Sequence, residues 1–222
     1  MNFGKAFTFV FEDPEWITKV LITAAIGLIP VVGQFYLLGW MLDIARRAFY
    51  GEDPLVLPEM DFGVHIINGV QAMVLGLVYG LPLFIFALPI VIVPVLGTAM
   101  ELHPDTLGMV LMITSLCSGL LMFVAGILIS LLVPAAEVHM MVEGGSLGAG
   151  LRFKEVFGLV RAAPLAYVIA LIGAGLALFA AVLIGSIACG IGIIVTMVYA
   201  QAVMGHFYGQ AYAQARSQPI AA

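Results

Sequence analysis

One short run in this chain matches a catalytic pattern: Gly144-Gly145-Ser146-Leu147-Gly148 has the G-x-S-x-G spacing of serine hydrolases. In those enzymes the serine lies on a sharp turn between a strand and a helix. The residues around Ser146 favour helices and loops, so the run predicts a flexible glycine-rich linker. The alternative is an intramembrane serine protease with His206 as its base.

A second group of chemically capable residues, Glu137, His139 and Glu143, follows Pro134. His139 and Glu143 are one helical turn apart, so both could face the same way and hold part of a metal site. A complete site would need a third ligand, from His206 or His65. We therefore predict no metal and no cofactor, and we expect solvated polar residues near a membrane surface.

The third feature is Gln34, which lies beside the break Pro30-Val31-Val32-Gly33 in an apolar stretch. Proline removes a helical hydrogen bond, and Gly33 permits a sharp change of direction. Gln34 could contact a substrate or ion where backbone carbonyls are freed. The alternative is a hydrogen bond to a neighbouring helix, which we favour.

The composition indicates which kind of fold must position these residues. The 222 residues are 63% hydrophobic and 9% charged, whereas soluble domains carry about 25% charged residues. The sequence therefore predicts a membrane protein. Eight Lys and Arg cannot build a basic stripe, so we expect no nucleic-acid partner. The expected partners are membrane lipids, and other membrane proteins or a second copy of the chain are further candidates.

Long uncharged runs place the membrane-crossing helices. No Asp, Glu, Lys or Arg lies between Arg161 and Arg216. One crossing needs roughly 20 apolar residues, so this run predicts two helices joined by a tight turn. Residues 66–133 predict a second hairpin, which turns near Glu101. Lys/Arg excess marks the cytoplasmic side, so we expect both termini on the cytoplasmic side of the inner cell membrane.

The first apolar segment, Val20 to Leu42, has two possible arrangements. A kinked helix could cross the membrane, which would leave six Lys and Arg on one side because Lys5 and Lys19 would lie on the other. A hairpin that enters and returns would place all eight on one side. We favour the hairpin.

The predicted fold is all-α, an integral membrane helical bundle with four full transmembrane helices in two hairpins. A Pro/Gly-broken hairpin, re-entrant or kinked, precedes them. The single membrane domain, 1–222, is divided as follows: an amphipathic interfacial segment at 1–16, the broken hairpin at 17–48, hairpins at 66–133 and 164–212, and a loose tail at 213–222.

Small residues at helical spacing predict where these helices pack. They let backbones approach closely, which drives association in lipid. We expect internal packing, with oligomer formation as the alternative. The residues are Gly76 and Gly80 in one helix and Gly173, Ala177, Ala181 and Gly185 in another.

Several motifs in order resemble the prokaryotic membrane-protein family catalogued as domain of unknown function 4013. They are Phe11-Glu12-Asp13-Pro14-Glu15-Trp16, Ile29-Pro30-Val31-Val32-Gly33, Leu57-Pro58-Glu59-Met60-Asp61-Phe62, Phe153-Lys154-Glu155-Val156 and His206-Phe207-Tyr208-Gly209-Gln210. The resemblance implies a multi-pass membrane protein and no known activity. Together, the break, the polar cluster after Pro134 and the closing motif give the candidate site residues: Pro30, Gly33, Gln34, Glu137, His139, His206, Tyr208 and Gln210.

Two functions follow as hypotheses. The first is a non-catalytic scaffold or accessory subunit of a membrane assembly, and it rests on the small-residue ridges and minimal loops. The alternative is a small transporter or channel that uses the broken helix around Pro30-Gly33. We do not expect an enzyme.

Overall fold

The computed structural model describes residues 1–52, 54–187 and 191–218, and within them the chain is helical without strands. A 3₁₀ turn, Phe9–Glu12, follows the first helix. The α-helices are α1 Phe3–Thr8, α2 Trp16–Gly27, α3 Val32–Tyr50, α4 Phe62–Ala99, α5 Pro104–Val142, α6 Leu147–Gly150, α7 Phe153–Ala162, α8 Pro164–Ile187 and α9 Ile191–Ser217.

The Pro/Gly break separates α2 from α3 and turns the chain back on itself. Helix α2 has 12 residues and is about 18 Å long, well short of a bilayer core. Val31 has a positive φ of 66° at the turn. Gly33 then lies against the backbone of Gly27, where a Cβ would come within 2.9 Å of the Gly27 Cα, so only glycine allows this approach.

The described residues form two compact units. The first unit comprises 1–75 and 131–222. Its core surrounds α3, from which Tyr36, Trp40 and Ile44 have no exposed area. Side chains from the N-terminal segment, the loop after α3 and helix α9 complete this core: Phe9, Val10, Leu55, Leu57, Val198 and Ala202.

The second unit comprises residues 76–130, from the later part of α4 and the earlier part of α5. Its large apolar side chains are mostly exposed, among them Phe84 at 62%, Leu116 at 74% and Phe123 at 66%. Apolar surface of this extent matches lipid and not water.

Three helices of the described part are long and apolar enough to cross a membrane, namely α4, α5 and α8. The prediction of four full crossings is therefore not supported. Helix α9, Ile191–Ser217, is not among the three.

Helices α8 and α9 pack together along the small-residue ridge. Gly173, Ala177, Ala181 and Gly185 are buried, and the Thr196 hydroxyl donates to the Ala181 carbonyl at 2.7 Å. Their internal packing agrees with the prediction. No such contact is seen at Gly76 and Gly80, where a Cβ would meet nothing within 4 Å among the described residues, so a packing role for these two glycines stays a prediction. Cys189, in the predicted turn, lies outside the described residues.

Candidate functional site

The candidate site residues do not converge on one site in the described part of the chain. Pro30, Gly33 and Gln34 lie at the turn between α2 and α3, and Glu137 and His139 lie near the end of α5. The remaining three candidates, His206, Tyr208 and Gln210, lie on α9.

A cavity of about 230 Å³ opens beside the break between α2 and α3. Gln34 lines it and is exposed, and its Nε2 donates a long hydrogen bond of 3.4 Å to the Gly27 carbonyl. Gln201 of α9 also lines it, and its buried Oε1 has no hydrogen-bond partner among the described residues. Apolar side chains form most of the remaining wall: Ala24, Leu28, Leu37, Ile193, Ile194, Met197 and Val198. Such a cavity can hold a small, mainly apolar molecule that carries one hydrogen-bonding group.

A second cluster joins α5, α7 and α9 around His139. The His139 Nδ1 lies 2.7 Å from the Tyr212 hydroxyl. On its other side, Nε2 lies 3.3 Å from a Glu155 carboxylate oxygen, although not in hydrogen-bonding geometry.

His139 and Glu137 are only 1% and 6% exposed, so the prediction of solvated residues is wrong. The reason is that α5 does not end near Ala136 but continues to Val142, where α9 covers it. The Glu137 carboxylate makes no hydrogen bond or ion pair to a described residue.

Ion pairs surround the His139–Tyr212 pair. Arg216 donates to Glu143 at 2.8 Å, and its guanidinium lies 5.9 Å from the centre of the Tyr212 ring. Arg152 lies 3.5 Å from Glu155. A histidine that lies between a hydroxyl and a carboxylate can relay a proton from one to the other. Tyr212 has no exposed area, however, so this cluster joins three helices and offers no hydroxyl to a substrate.

Replacing Tyr212 by phenylalanine is expected to destabilise the protein by about 1 to 2 kcal/mol, because His139 Nδ1 would be left buried without a partner. The ring contact with Phe49, at 5.1 Å between centroids, would remain. Unfolding in mixed detergent micelles measures the change. Tyr50→Phe is the matched control, because Tyr50 is 62% exposed. Equal stability of the two variants would contradict this role.

Two of the α9 candidates, Gln210 and His206, contact the N-terminal segment of the chain. Gln210 accepts the Asn2 N–H at 2.6 Å through its Oε1, which fixes the orientation of the amide. Its Nε2 therefore donates to His206 Nδ1 at 2.7 Å, so the neutral His206 ring carries its proton on Nε2. Phe3 packs on Phe207, with ring centroids 4.9 Å apart.

A buried ion pair between Asp13 and Lys19 lies at the start of α2. Lys19 Nζ is 2.9 Å from the carboxylate and donates to the Leu57 carbonyl at 3.0 Å. Asp13 also accepts the N–H groups of Leu57 and Glu15. The Asp13 carboxylate thus caps the turn that leads into α2, which begins at Trp16, and it does so from within the core.

The surroundings of Asp13 set its ionisation. Burial by itself raises the pKa of this carboxyl. The hydrogen bond from Lys19, the two backbone N–H groups and the Lys19 charge outweigh burial, so the pKa of Asp13 lies below its usual value.

No group of three or more His, Cys, Asp or Glu side chains that could hold a metal ion occurs in the described residues. The two histidines that were considered as ligands have different partners. His139 of α5 contacts Tyr212 and Glu155, whereas His206 of α9 bonds to Gln210.

Comparison with known proteins places the chain in a family. A family model described as a protein of unknown function (DUF4013) matches residues 22–190. The chain belongs to the DUF4013 family. Three of the motifs that carry the resemblance lie inside the matched residues, at 29–33, 57–62 and 153–156, whereas those near the two ends of the chain lie outside it. No curated protein and no solved structure matches the chain.

Proposed function

We propose that this DUF4013 protein is a multi-pass membrane protein that acts as a non-catalytic scaffold or accessory subunit of a membrane assembly. The observation that supports this function best is a set of two buried polar pairs that join separate segments of the chain. Asp13 pairs with Lys19, and His139 pairs with Tyr212. Such pairs hold helices together, which supports a structural role for these side chains and leaves partner binding to the outer surface of the protein.

In the proposed arrangement, α4, α5, α8 and the less apolar α9 cross the cytoplasmic membrane. Helices α2 and α3 enter and return, with both termini in the cytoplasm. Contacts inside the first unit support this arrangement: Lys19 bonds to Leu57, and Gln210 bonds to Asn2. Two groups in hydrogen-bond contact lie at the same depth, so the start of α2 and the loop after α3 lie at the same level relative to a membrane, as a pair that enters and returns requires.

Extraction of a tagged copy into native lipid discs, followed by mass spectrometry, tests the subunit function. We expect a second membrane protein in stoichiometric amount, and the same tag on an unrelated multi-pass protein is the control. Recovery of the chain alone, or only with itself and lipid, would contradict the proposal.

A small transporter or channel is the second candidate function, and the cavity beside the break favours it. Gln34 and Gln201 place two amides in an otherwise apolar wall, and Gln34 already donates to the Gly27 carbonyl at the end of α2. Solute uptake into proteoliposomes should then fall at least tenfold in Q34A/Q201A. Gln214→Ala, an exposed position of α9 that does not line the cavity, is the control. Equal uptake by the two variants would reject the transport function.

A further inference from the structure

Helix α7 is strongly amphipathic and ends just before α8. Val156 and Leu159 are buried against the rest of the first unit. Pro164 begins α8, one of the helices long and apolar enough to cross a membrane. Arg161, near the end of α7, therefore lies within three residues of a candidate span.

The outer face of α7 is divided into an apolar strip and a basic strip. Phe153 and Phe157 are one helical turn apart and are 53% and 56% exposed. At 100° per residue, Lys154 and Arg161 lie within about 20° of each other on the circumference of the helix. They lie next to the strip of the two phenylalanines. Both basic residues are exposed. Going around α7, the surface is thus buried, then apolar, then basic.

Lys154 and Arg161 have no ion-pair partner within the described part of the chain. This distinguishes them from other basic side chains of the protein, which pair inside the fold: Lys19 with Asp13, Arg46 and Arg47 with Asp43, Arg152 with Glu155 and Arg216 with Glu143. Two cations on one strip of the helix, about two turns apart, without an internal partner and beside exposed phenylalanines, are complementary to an anionic apolar surface.

We propose that α7 lies in the membrane interface and binds the phosphate groups of anionic lipids through Lys154 and Arg161, while Phe153 and Phe157 enter the acyl region. The long stems of Lys and Arg let the charges reach the headgroups while the rings are in lipid. This proposal rests on the membrane placement of α8 in the function proposed above. It adds that the headgroup charge of the lipid affects how strongly α7 binds to the membrane surface.

The position of α7 can be tested with labels in the background C117S/C189S. A fluorophore is attached at Phe157→Cys in vesicles of phosphatidylcholine and phosphatidylglycerol, and its quenching by spin-labelled lipid and by acrylamide is compared. We expect quenching by the lipid. Leu176→Cys, half exposed on α8, is the control for the membrane itself.

The control separates two failures. A label at 157 that acrylamide alone quenches, beside a lipid-quenched label at 176, would overturn the α7 proposal and leave the membrane placement intact. Acrylamide quenching at both positions would overturn the placement and the α7 proposal together.

Lipid selectivity tests the two cations. Native mass spectrometry of the full chain from mixed micelles should show that K154Q/R161Q reduces the preference for phosphatidylglycerol over phosphatidylcholine about tenfold. The variant K154R/R161K keeps both charges and should keep the preference. An unchanged preference in K154Q/R161Q would overturn the proposal. So would capture of an acidic protein that depends on these charges while lipid preference does not, because the face would then belong to a protein partner.

Discussion

Asp13→Ala is expected to destabilise the protein by about 3 to 5 kcal/mol, the usual loss when one partner of a buried ion pair is removed. Lys19 would be left 7% exposed by side chain, with only the Leu57 carbonyl and the more distant Glu59 carboxylate near its charge. The Leu57 N–H would also lose its acceptor. Unfolding of the purified protein in mixed micelles titrated with dodecyl sulfate measures the change in free energy.

The double variant D13L/K19M is the matched control for this prediction. It removes both charges and fills the site with apolar side chains, so it should recover most of the stability that D13A loses. A D13A variant within about 1 kcal/mol of the natural chain would show that the pair is not a determinant of the fold.

The lowered pKa of Asp13 gives this contribution a pH dependence. A carboxyl with a lower pKa in the folded state than in the unfolded state stabilises the fold fully above the unfolded value, about 3.9. The stabilisation is lost as the pH falls through the lowered folded value. The stability difference between the natural chain and D13N should therefore be constant near neutral pH and shrink below about pH 4.

Gly209→Ala is expected to cost about 3 kcal/mol or more, because it forces α9 away from α3. The added Cβ would collide with the Ala45 carbonyl oxygen and lie 2.7 Å from the Ala48 Cβ. Both contacts involve atoms close to a helix backbone, which cannot move aside as the end of a side chain can. The midpoint of thermal unfolding in detergent should fall accordingly.

Gly76→Ala makes the same chemical change on α4, where a Cβ meets nothing within 4 Å. It should be neutral or slightly stabilising, because alanine favours helix over glycine by up to about 1 kcal/mol. Opposite signs for the two substitutions are the expected pattern. Equal effects would mean that glycine acts here through helix propensity and not through the α3–α9 contact.

The sequence allowed the helical class, the break at Pro30–Gly33 and the α8 ridge to be predicted, because each depends on neighbouring residues. Apolar runs and small residues at helical spacing express local rules. At Gly76 and Gly80 the same rule predicts a ridge but not what covers it, and a Cβ on either meets nothing within 4 Å among the described residues. Gly205 and Gly209 show the same spacing and were overlooked, although they approach Met41 and Ala45 of α3.

The buried polar pairs could not be predicted because their partners are far apart in the chain. His139 and Tyr212 are separated by 73 positions, and Asp13 and Leu57 by 44. The predicted hairpin ended at residue 133, so Glu137 and His139 were expected beyond it in a solvated position. The available signal for Gln201 was a lone amide in an apolar run, which indicates a polar contact but not its partner.

Cysteine accessibility in sealed vesicles tests most directly whether α2 and α3 enter the membrane and return on the same side. In the background C117S/C189S, Glu101→Cys should react with a membrane-impermeant thiol reagent on the outer face. Glu52→Cys should react only from the cytoplasmic face. Val31→Cys, at the tip of the turn, should be protected from both sides because the pair enters the membrane and returns. Labelling of Val31→Cys from outside as readily as Glu101→Cys would mean that α2 and α3 cross, and it would contradict the account.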